Sequence, residues 1–543
     1  MDKQVARQSF LGGTATLAAA VIIVKILGAL YKIPLTNVLD GDGMGYFTTA
    51  YNIYNLLLTI STAGLPVALS KMIAEANTLG RHNEKRRIFR VALATFLILG
   101  GICTCLMAFL PHQLAAMMNN SQSWYAIVAL APAVIGVCCE SAFRGYTQGH
   151  GDMRPTAYSQ VIESIFKLVL GLAIAIWMLR AGFSVAQAAG GTILGVTTGS
   201  FVGMIYLIVN HMRRKRKETE IPATDVPPSS GRILARILRI GIPIMLGSSV
   251  LALITLIDTK LVLLRLQTAA GFDETTANWL FGAYSSTMTF YNLPAAFIVP
   301  ITTAVIPAIS AALAKRDNND VMRLVSASSR LTAMIAFPCG IGLMVLAGPI
   351  LRLLYFTKPE LCLAGEPLLK MLGLAAIFVC LMLVTNAHLQ SFGKVNIPVY
   401  TMIVGGAAKV AANWFLVGNP DIGIRGAPIG TTLCFLIITV INFVIVSRMV
   451  PGRLRLFSLF GKPLIAALVM GAAAWGAYGL CLRVLARRIT STFLLNAGAV
   501  VVALIVAIIV YLALIVVLRV VSKDDLSSMG GKGEKLARFL RLR

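Results

Sequence analysis

Apolar runs of about twenty residues recur along the whole chain and are separated by short polar segments. A helix needs about 20 mainly apolar residues to cross ~30 Å of hydrocarbon, because each residue adds ~1.5 Å and no backbone group can stay unpaired there. The pattern therefore predicts an all-α integral membrane protein with fourteen transmembrane helices. The predicted spans are 11–32, 44–70, 88–110, 124–147, 156–179, 187–210, 238–263, 280–313, 327–351, 367–389, 397–417, 426–446, 463–482 and 492–518.

One run, 280–313, is too long for a single untilted span and contains Pro294, Pro300 and Pro307. Each proline removes an amide donor from the helix and can bend it. We therefore expect this element to be broken or hinged.

The distribution of basic residues predicts the orientation of the chain. Cytoplasmic loops retain positive charge, and the loops on one face hold most of the 48 Lys and Arg residues. The opposite face holds only Arg180, Arg265, Arg352, Lys358, Arg425, Arg483, Arg487 and Arg488. Both termini are therefore predicted to be cytoplasmic, in a multi-pass protein.

The amino-acid composition limits the classes of binding partner that are expected. Apolar residues make up 57% of 543 positions and charged residues 13%, with a formal net charge of +26. Because the basic residues lie along one membrane face, anionic membrane lipids explain the charge and no nucleic acid is predicted as a partner. The nine cysteines lack metal-ligand spacing, so no metal or other cofactor is predicted.

The chain contains an internal repeat. Residues of 148–167 return in 390–409 at a constant offset: Gln148 with Gln390, Gly151 with Gly393, Tyr158 with Tyr400, and Lys167 with Lys409. This predicts two six-helix bundles, related as parallel repeats, that form two lobes around a central cavity, plus two C-terminal helices. The predicted parts are an N-terminal lobe (1–212), a cytoplasmic linker (213–235), a C-terminal lobe (236–450), and the last two helices with a basic cytoplasmic tail (451–543).

Charged residues inside spans cost roughly 2.5–3.5 kcal/mol each on insertion scales and usually face a cavity or a partner. Glu140 with Arg144, and Glu163 with Lys167, are spaced i,i+4 on their helices. Such pairs can neutralise each other and hold helices together. The alternative for Glu163 and Lys167 is a role in ligand binding.

Three further charges, on Lys25, Lys409 and Asp258, have no oppositely charged residue at i±3 or i±4. Each therefore requires a cavity, a partner on another helix, or a ligand. The excess of lysine over acidic residues in the spans suits an anionic group such as a phosphate. A polar stripe could line the same cavity or form hydrogen bonds between helices, and it contains Tyr51, Asn52, Tyr54, Asn55 and Thr59.

Two runs carry a resemblance to a known family, "KILGALYKIPLTNVLDGDGMGYFTTAYNIYN" (Lys25 to Asn55) and "FRGYTQGHGDMRPTAYSQVIES" (Phe143 to Ser164). The chain resembles the polysaccharide-transporter branch of the multidrug/oligosaccharidyl-lipid/polysaccharide exporter superfamily, and within it the SpoVB/YtgP group, which is similar to the MurJ lipid II flippases. The resemblance implies a bacterial plasma membrane protein that moves an undecaprenyl-pyrophosphate-linked cell-wall precursor to the outer leaflet by alternating access.

The resemblance also implies site residues. The first-helix basic residues of the family match Lys25 and Lys32, whereas spans 44–70 and 280–313 lack the family's cavity arginines. Lys167 and Lys409 are hypothesised to compensate. Together with the buried charges and the polar stripe, the predicted substrate-binding residues are Lys25, Lys32, Asn52, Asn55, Glu163, Lys167, Lys260 and Lys409. Asp258 and Asn413 are predicted to bind a coupling cation, with Na⁺ and H⁺ both open.

Other functions stay open at this stage. The alternatives within the superfamily are export of another lipid-linked polysaccharide unit and cation or drug antiport. A membrane glycosyltransferase or ligase would need catalytic groups on a large outer loop, and the predicted outer loops are short, so a transporter rather than an enzyme is predicted. The predicted ligand is a lipid-linked oligosaccharide pyrophosphate, and cell-wall synthesis proteins are candidate partners.

Overall fold

The computed structural model describes residues 2–218, 225–450, 452, 454, 456–486 and 491–520, with side chains described for these residues except 2–15, 18 and 215–218. Within these ranges the chain is helical, and no strand is present. The first helices are α1 (Asp2–Thr62), α2 (Leu65–Thr78), α3 (His82–Phe109), α4 (Pro111–Met117), α5 (Trp124–Gly149), α6 (Arg154–Arg180), α7 (Val185–Glu218), α8 (Ser230–Thr268) and α9 (Glu274–Tyr291).

The remaining helices continue the same pattern. They are α10 (Leu293–Ala314), α11 (Asn318–Val345), α12 (Ala347–Leu354), α13 (Pro359–Ser391), α14 (Ile397–Leu416), α15 (Gly426–Met449), α16 (Lys462–Leu485) and α17 (Thr492–Val517). The all-α integral membrane fold predicted from the sequence is confirmed.

Thirteen stretches of the described residues are long and apolar enough to cross a membrane. The first of them, Ala19–Thr78, joins the predicted spans 11–32 and 44–70. Helix α1 extends through this stretch as far as Thr62, with a kink at Asp40, whose φ of 59° and ψ of −168° are not helical. The predicted count of fourteen spans treats the two sides of this kink as separate helices, and it stays a prediction.

The predicted break in the proline-rich run is confirmed. Helix α9 ends at Tyr291 and α10 begins at Leu293, with Pro294 in the first turn of α10. Pro294 has no backbone N–H to donate, and in the first turn of a helix that donor has no intrahelical partner in any case. Pro300 and Pro307 lie inside α10 and do not end it.

A second break falls inside the predicted span 44–70. Helix α1 ends at Thr62 and α2 begins at Leu65, with Pro66 in its first turn. Gly64 lies against the backbone of α8, where a Cβ would be 2.0 Å from the carbonyl oxygen of Gly241. The close contact and the proline together explain the interruption of this apolar run.

The chain divides into two compact units, 1–286 and 287–543. In the first unit, α5 is the central buried helix and packs against α1, α2, α3 and α7, while α6 pairs with α7. In the second unit, α13 is the central buried helix and packs against α10, α11 and α15, while α16 pairs with α17. The division by compactness falls inside α9, so the lobe boundaries and the central cavity inferred from the repeat stay predictions.

The repeated segments share local geometry. Gly151 follows α5 with φ of 77°, and Gly393 follows α13 with φ of 74°. Both lie in the left-handed region that favours glycine. Each is followed by a helix with a proline in its first turn, Pro155 in α6 and Pro398 in α14. The matched residues therefore occupy the same kind of helix junction in each copy.

Part of the predicted linker is attached to α3. The Asp225 carboxylate accepts hydrogen bonds from the backbone amides of Asn83 at 2.9 Å and Glu84 at 2.8 Å. Burial raises the pKa of Asp225, but these donors outweigh that effect and bring the pKa below its usual value. The contribution of Asp225 to stability is therefore present at neutral pH and is lost as the pH falls through the lowered pKa.

Gly282 allows α9 to approach α1 closely, since a Cβ at this position would be 1.7 Å from the carbonyl oxygen of Gly41. We expect Gly282→Ala to lower the stability of the protein by about 1–3 kcal/mol, because neither backbone can yield without moving its helix. Thermal unfolding in detergent measures this effect. Gly101→Ala in α3 is the matched control, since nothing lies within 4 Å of its Cβ position. Equal unfolding temperatures for Gly282→Ala and the wild type would contradict the assigned contact.

Candidate functional site

Three lysines from α1 and α6 lie together in the first unit, and we call them the lysine cluster: Lys25, Lys32 and Lys167. Lys32 is close enough to both Lys25 and Lys167 for their charges to interact. Lys25 is exposed, whereas Lys32 and Lys167 are partly buried. Like charges in an apolar span are unfavourable unless an anion or polar groups compensate them. Three of the residues predicted from the sequence are thus brought into one cationic site.

Two tyrosines hold the ammonium group of Lys167. The Nζ atom donates a hydrogen bond to the Tyr51 hydroxyl at 3.2 Å and lies 4.7 Å from the centre of that ring. It also lies 5.2 Å from the centre of the Tyr31 ring. The Tyr31 hydroxyl is in turn 3.3 Å from the Thr192 hydroxyl of α7. Aromatic faces attract a cation without neutralising it, so Lys167 is positioned but keeps its charge.

An ionic triad lies on the neighbouring helices α5 and α6. The Arg144 guanidinium is 2.9 Å from the Glu140 carboxylate and 3.2 Å from the Glu163 carboxylate, and its Nε donates to Ser159 at 3.0 Å. The expected pairing of Glu140 with Arg144 is therefore present. Glu163 lies within electrostatic reach of Lys167, but its ion pair is with Arg144. The sequence rule of i,i+4 spacing selects the wrong partner for Glu163 because it cannot see the adjacent helix.

The predicted polar residues of α1 and α8 occupy different surroundings. Asn52 donates to the Thr259 hydroxyl at 2.8 Å and so joins the two helices. Asn55 is partly buried, and its carbonyl oxygen accepts from Thr59 at 2.7 Å. On α8, Asp258 is buried and Lys260 is exposed. The observed bond of Asn52 is interhelical, and a role in substrate binding stays a prediction for these residues.

The remaining predicted residues lie on α14 in the second unit. Lys409 is 8% exposed and Asn413, one turn further on, is fully buried. Helix α15 passes close to them, because Gly430 leaves room for the Asn413 carboxamide: a Cβ there would be 2.2 Å from its Oδ1 atom. Asn413 and Lys409 thus lie in the seam between α14 and α15. The predicted cation site, formed with Asp258 of the first unit, stays a prediction.

An apolar groove of about 390 Å³ opens between α10, α11, α16 and α17 in the second unit. These helices supply aromatic, aliphatic and proline side chains to its walls, including Leu293, Phe297, Pro338, Met470 and Leu504, and Phe290 at the end of α9 adds another. Small residues such as Gly342, Ala474 and Ala507 line it as well. A groove of this kind accepts a hydrocarbon chain, since it offers apolar surface and almost no hydrogen-bonding group.

Sequence reasoning did not find this groove. Residues that line a groove and residues that face lipid are equally apolar, so their hydropathy does not separate them. The available signal was the recurrence of glycine and alanine on α11, α16 and α17, at Gly342, Ala474 and Ala507. Small residues at a helix interface usually permit close packing, and only the structure shows that here they leave a space.

Catalytic or metal-ligating clusters form no part of the site. Among the described residues, no group of three or more His, Cys, Asp or Glu side chains could hold a metal ion. The ionisable groups described above form one ionic triad and one lysine cluster. This arrangement can bind an anion but offers no paired acid and base for bond cleavage.

Comparison with known proteins places these features in context. The model of the family described as "Polysaccharide biosynthesis protein" matches residues 10–313, and the model described as "MatE" matches residues 281–415. The first match covers more than half of the chain and includes the whole lysine cluster.

Relatives of similar length are known. The chain is 24% identical to "Stage V sporulation protein B" of Bacillus subtilis (strain 168) over 453 residues, which is 83% of this chain and 86% of that protein. It is 24% identical to "Lipid II flippase MurJ" of the same organism over 454 residues, 81% and 82% of the two chains. A solved structure of "Lipid II flippase MurJ, inward closed conformation" superposes with a TM-score of 0.68 at 15% identity, covering 92% of this chain and 98% of that one.

Proposed function

Because the chain belongs to the polysaccharide biosynthesis protein family, we propose that it is a flippase for an undecaprenyl-pyrophosphate-linked cell-wall precursor similar to lipid II. It is a multi-pass membrane transporter and not an enzyme, as its relatives and its fold agree. The proposed reaction moves the precursor from the inner to the outer leaflet by alternating access. The observation that carries the proposal is the lysine cluster within otherwise apolar helices.

The charge of the site fits a pyrophosphate. The charge of Lys32 interacts with those of Lys25 and Lys167, while the two nearby carboxylates, Glu140 and Glu163, pair with Arg144. The lysine cluster therefore keeps a surplus of positive charge. A pyrophosphate offers several acceptor oxygens, and ammonium groups bind such anions through charge-assisted hydrogen bonds.

The apolar groove supports the lipid part of the proposed substrate. Its walls in α10, α11, α16 and α17 are hydrocarbon-like, and such a surface suits a prenyl tail better than a sugar. A soluble saccharide would have no use for such a surface. The combination of a cationic site and an apolar groove within one chain supports a lipid-linked anion as the cargo.

The alternatives make different demands on the same residues. An exporter of another lipid-linked polysaccharide unit would use both the lysine cluster and the groove, so only the transported molecule separates it from the first proposal. A cation or drug antiporter would have to bring a positive substrate toward three lysines, which repel it. We therefore place antiport of cations last.

Depletion of the protein in its native host tests the proposal. We expect a pyrophosphate-linked cell-wall precursor to accumulate in the inner leaflet, measured by extraction and mass spectrometry of lipid-linked saccharides. Accumulation of a different lipid-linked saccharide would favour an exporter of another lipid-linked polysaccharide unit. An unchanged pool of all lipid-linked saccharides would contradict a flippase function.

Within this function, Lys25→Ala is expected to lower the transport rate about tenfold, because one charge-assisted contact to a phosphate is worth about 1.5 kcal/mol. Translocation of a labelled precursor in proteoliposomes measures it, and Lys25→Arg is expected to keep part of the rate. Lys394→Ala, at an exposed loop lysine outside the cluster, is the matched control. Full activity of Lys25→Ala at normal abundance would remove Lys25 from the site.

A further inference from the structure

A second cationic site lies outside the lysine cluster, on the face of the protein that the charge distribution predicts to be cytoplasmic. It is a cavity of about 500 Å³ between the first turns of α3 and the start of α8. We call it the arginine pocket. Its lining residues are Asn83, Arg86, Arg87, Arg90, Val91, Ala94, Pro227 and Ser230.

The pocket is built by one face of α3. Positions 83, 86, 87, 90, 91 and 94 recur at the three- and four-residue spacing that places side chains on one side of a helix. The opposite wall comes from the predicted linker, where Arg87 donates from Nε to the Ser230 hydroxyl at 3.3 Å. Asp225 fixes this linker segment to the start of α3 through two backbone hydrogen bonds. The walls are therefore held together by the fold.

The lining divides into a charged part and an apolar part. Its three arginines occupy the first turns of α3, and no acidic side chain is among the described residues that line it. The apolar residues, Val91 and Ala94, lie further along α3, and the predicted span 88–110 contains them together with Arg90. The pocket thus passes from a cationic end to an apolar end across the depth at which headgroups meet acyl chains.

We propose that the arginine pocket binds the phosphodiester headgroup of an anionic phospholipid of the inner leaflet. Guanidinium groups bind phosphate oxygens through paired N–H donors, and Arg86, Arg87 and Arg90 present three of them. The apolar end at Val91 and Ala94 accommodates the start of the acyl chains. A bound lipid would tie the linker wall to α3 and so stabilise the junction between the predicted halves.

A soluble phosphate is the other source of the same chemistry. It would use the arginines alone and would gain nothing from Val91 and Ala94. A lipid uses both ends of the pocket. A substitution at the apolar end therefore separates the two sources without removing any charge.

The proposal is tested by measuring the binding of phosphatidylglycerol to the whole protein with native mass spectrometry in a neutral detergent. We expect Arg87→Gln combined with Arg90→Gln to weaken the tightest phosphatidylglycerol binding about tenfold. Arg154→Gln is the matched control, because Arg154 is an exposed arginine at the start of α6 on the same predicted face and outside the pocket. Thermal unfolding without lipid is expected to be the same for all three proteins, which separates a binding defect from misfolding.

Ala94→Trp completes the design, since Ala94 is exposed and a tryptophan there fills the apolar end. We expect it to weaken phosphatidylglycerol binding while the arginines remain. Unchanged phosphatidylglycerol binding by the double arginine variant would overturn the proposal. Displacement of the lipid by inorganic phosphate, together with wild-type behaviour of Ala94→Trp, would overturn the lipid assignment in favour of a soluble phosphate.

Discussion

Lys167→Met is expected to lower precursor translocation about hundredfold, because the substitution removes the cation that two tyrosines hold in place. The methionine keeps the apolar stem and loses only the ammonium group, which contacts the rings of Tyr31 and Tyr51. A charge-assisted hydrogen bond is worth up to about 3 kcal/mol, and a positioned, partly buried group lies at the upper end of that range. Translocation in proteoliposomes measures the rate.

Two control variants show whether the loss of translocation is specific to the Lys167 ammonium group. Lys315→Met removes an exposed lysine at the end of α10 and is expected to leave the rate unchanged. Tyr51→Phe removes the hydroxyl but keeps the aromatic face, so it is expected to keep most of the activity. If Lys167→Met transports at the wild-type rate while folding normally, the cationic site lies elsewhere in the chain.

The second large effect concerns Arg144, the centre of the ionic triad. Arg144→Ala is expected to destabilise the protein by about 3–5 kcal/mol, because it leaves the carboxylates of Glu140 and Glu163 without their shared cation. The Glu140 side chain is fully buried, so water cannot replace the lost partner. Protein abundance in the membrane and thermal unfolding in detergent measure the loss.

A triple variant distinguishes the loss of charge compensation from the loss of the Arg144 side chain itself. Adding Glu140→Gln and Glu163→Gln to Arg144→Ala is expected to recover much of the stability, since the uncompensated charges are then gone. Arg323→Ala serves as the control, because Arg323 forms an exposed pair with Asp320 that contributes little. Normal abundance and normal unfolding of Arg144→Ala would show that the triad is not a stabilising element.

The features that the sequence predicted correctly depend on local information. The helical class follows from the length of the apolar runs, and the break between α9 and α10 lies beside Pro294, which cannot donate a backbone hydrogen bond. Lys25 and Lys167 are candidates because a charge in a span is costly, and Lys32 because it matches a basic residue of the family; their role in substrate binding stays a prediction. Their mutual proximity depends on how α1 packs against α6, and no pattern within either helix contains that information.

The features that were missed depend on contacts between helices. Pro66 marks the interruption after Thr62 in the sequence, but the close contact of Gly64 with the carbonyl oxygen of Gly241 does not follow from the sequence. The partner of Glu163 is an arginine on another helix, whereas the sequence offered Lys167 on the same one. The apolar groove is a shape, and hydropathy measures only the chemistry of its walls. In each case the missing information is three-dimensional packing.

The spacing of charges on α5 and α6 bears on how these two helices insert into the membrane. A span that enters the membrane before its neighbours cannot use their charges, so each helix has to limit its own insertion cost. At that stage α5 carries Glu140 with Arg144 and α6 carries Glu163 with Lys167, each pair spaced for self-neutralisation. When α5 and α6 then pack together, Glu163 joins Arg144. Each of the two spans thus carries its own opposite charge one turn away, while in the folded protein the Lys167 ammonium lies against Tyr31 and Tyr51.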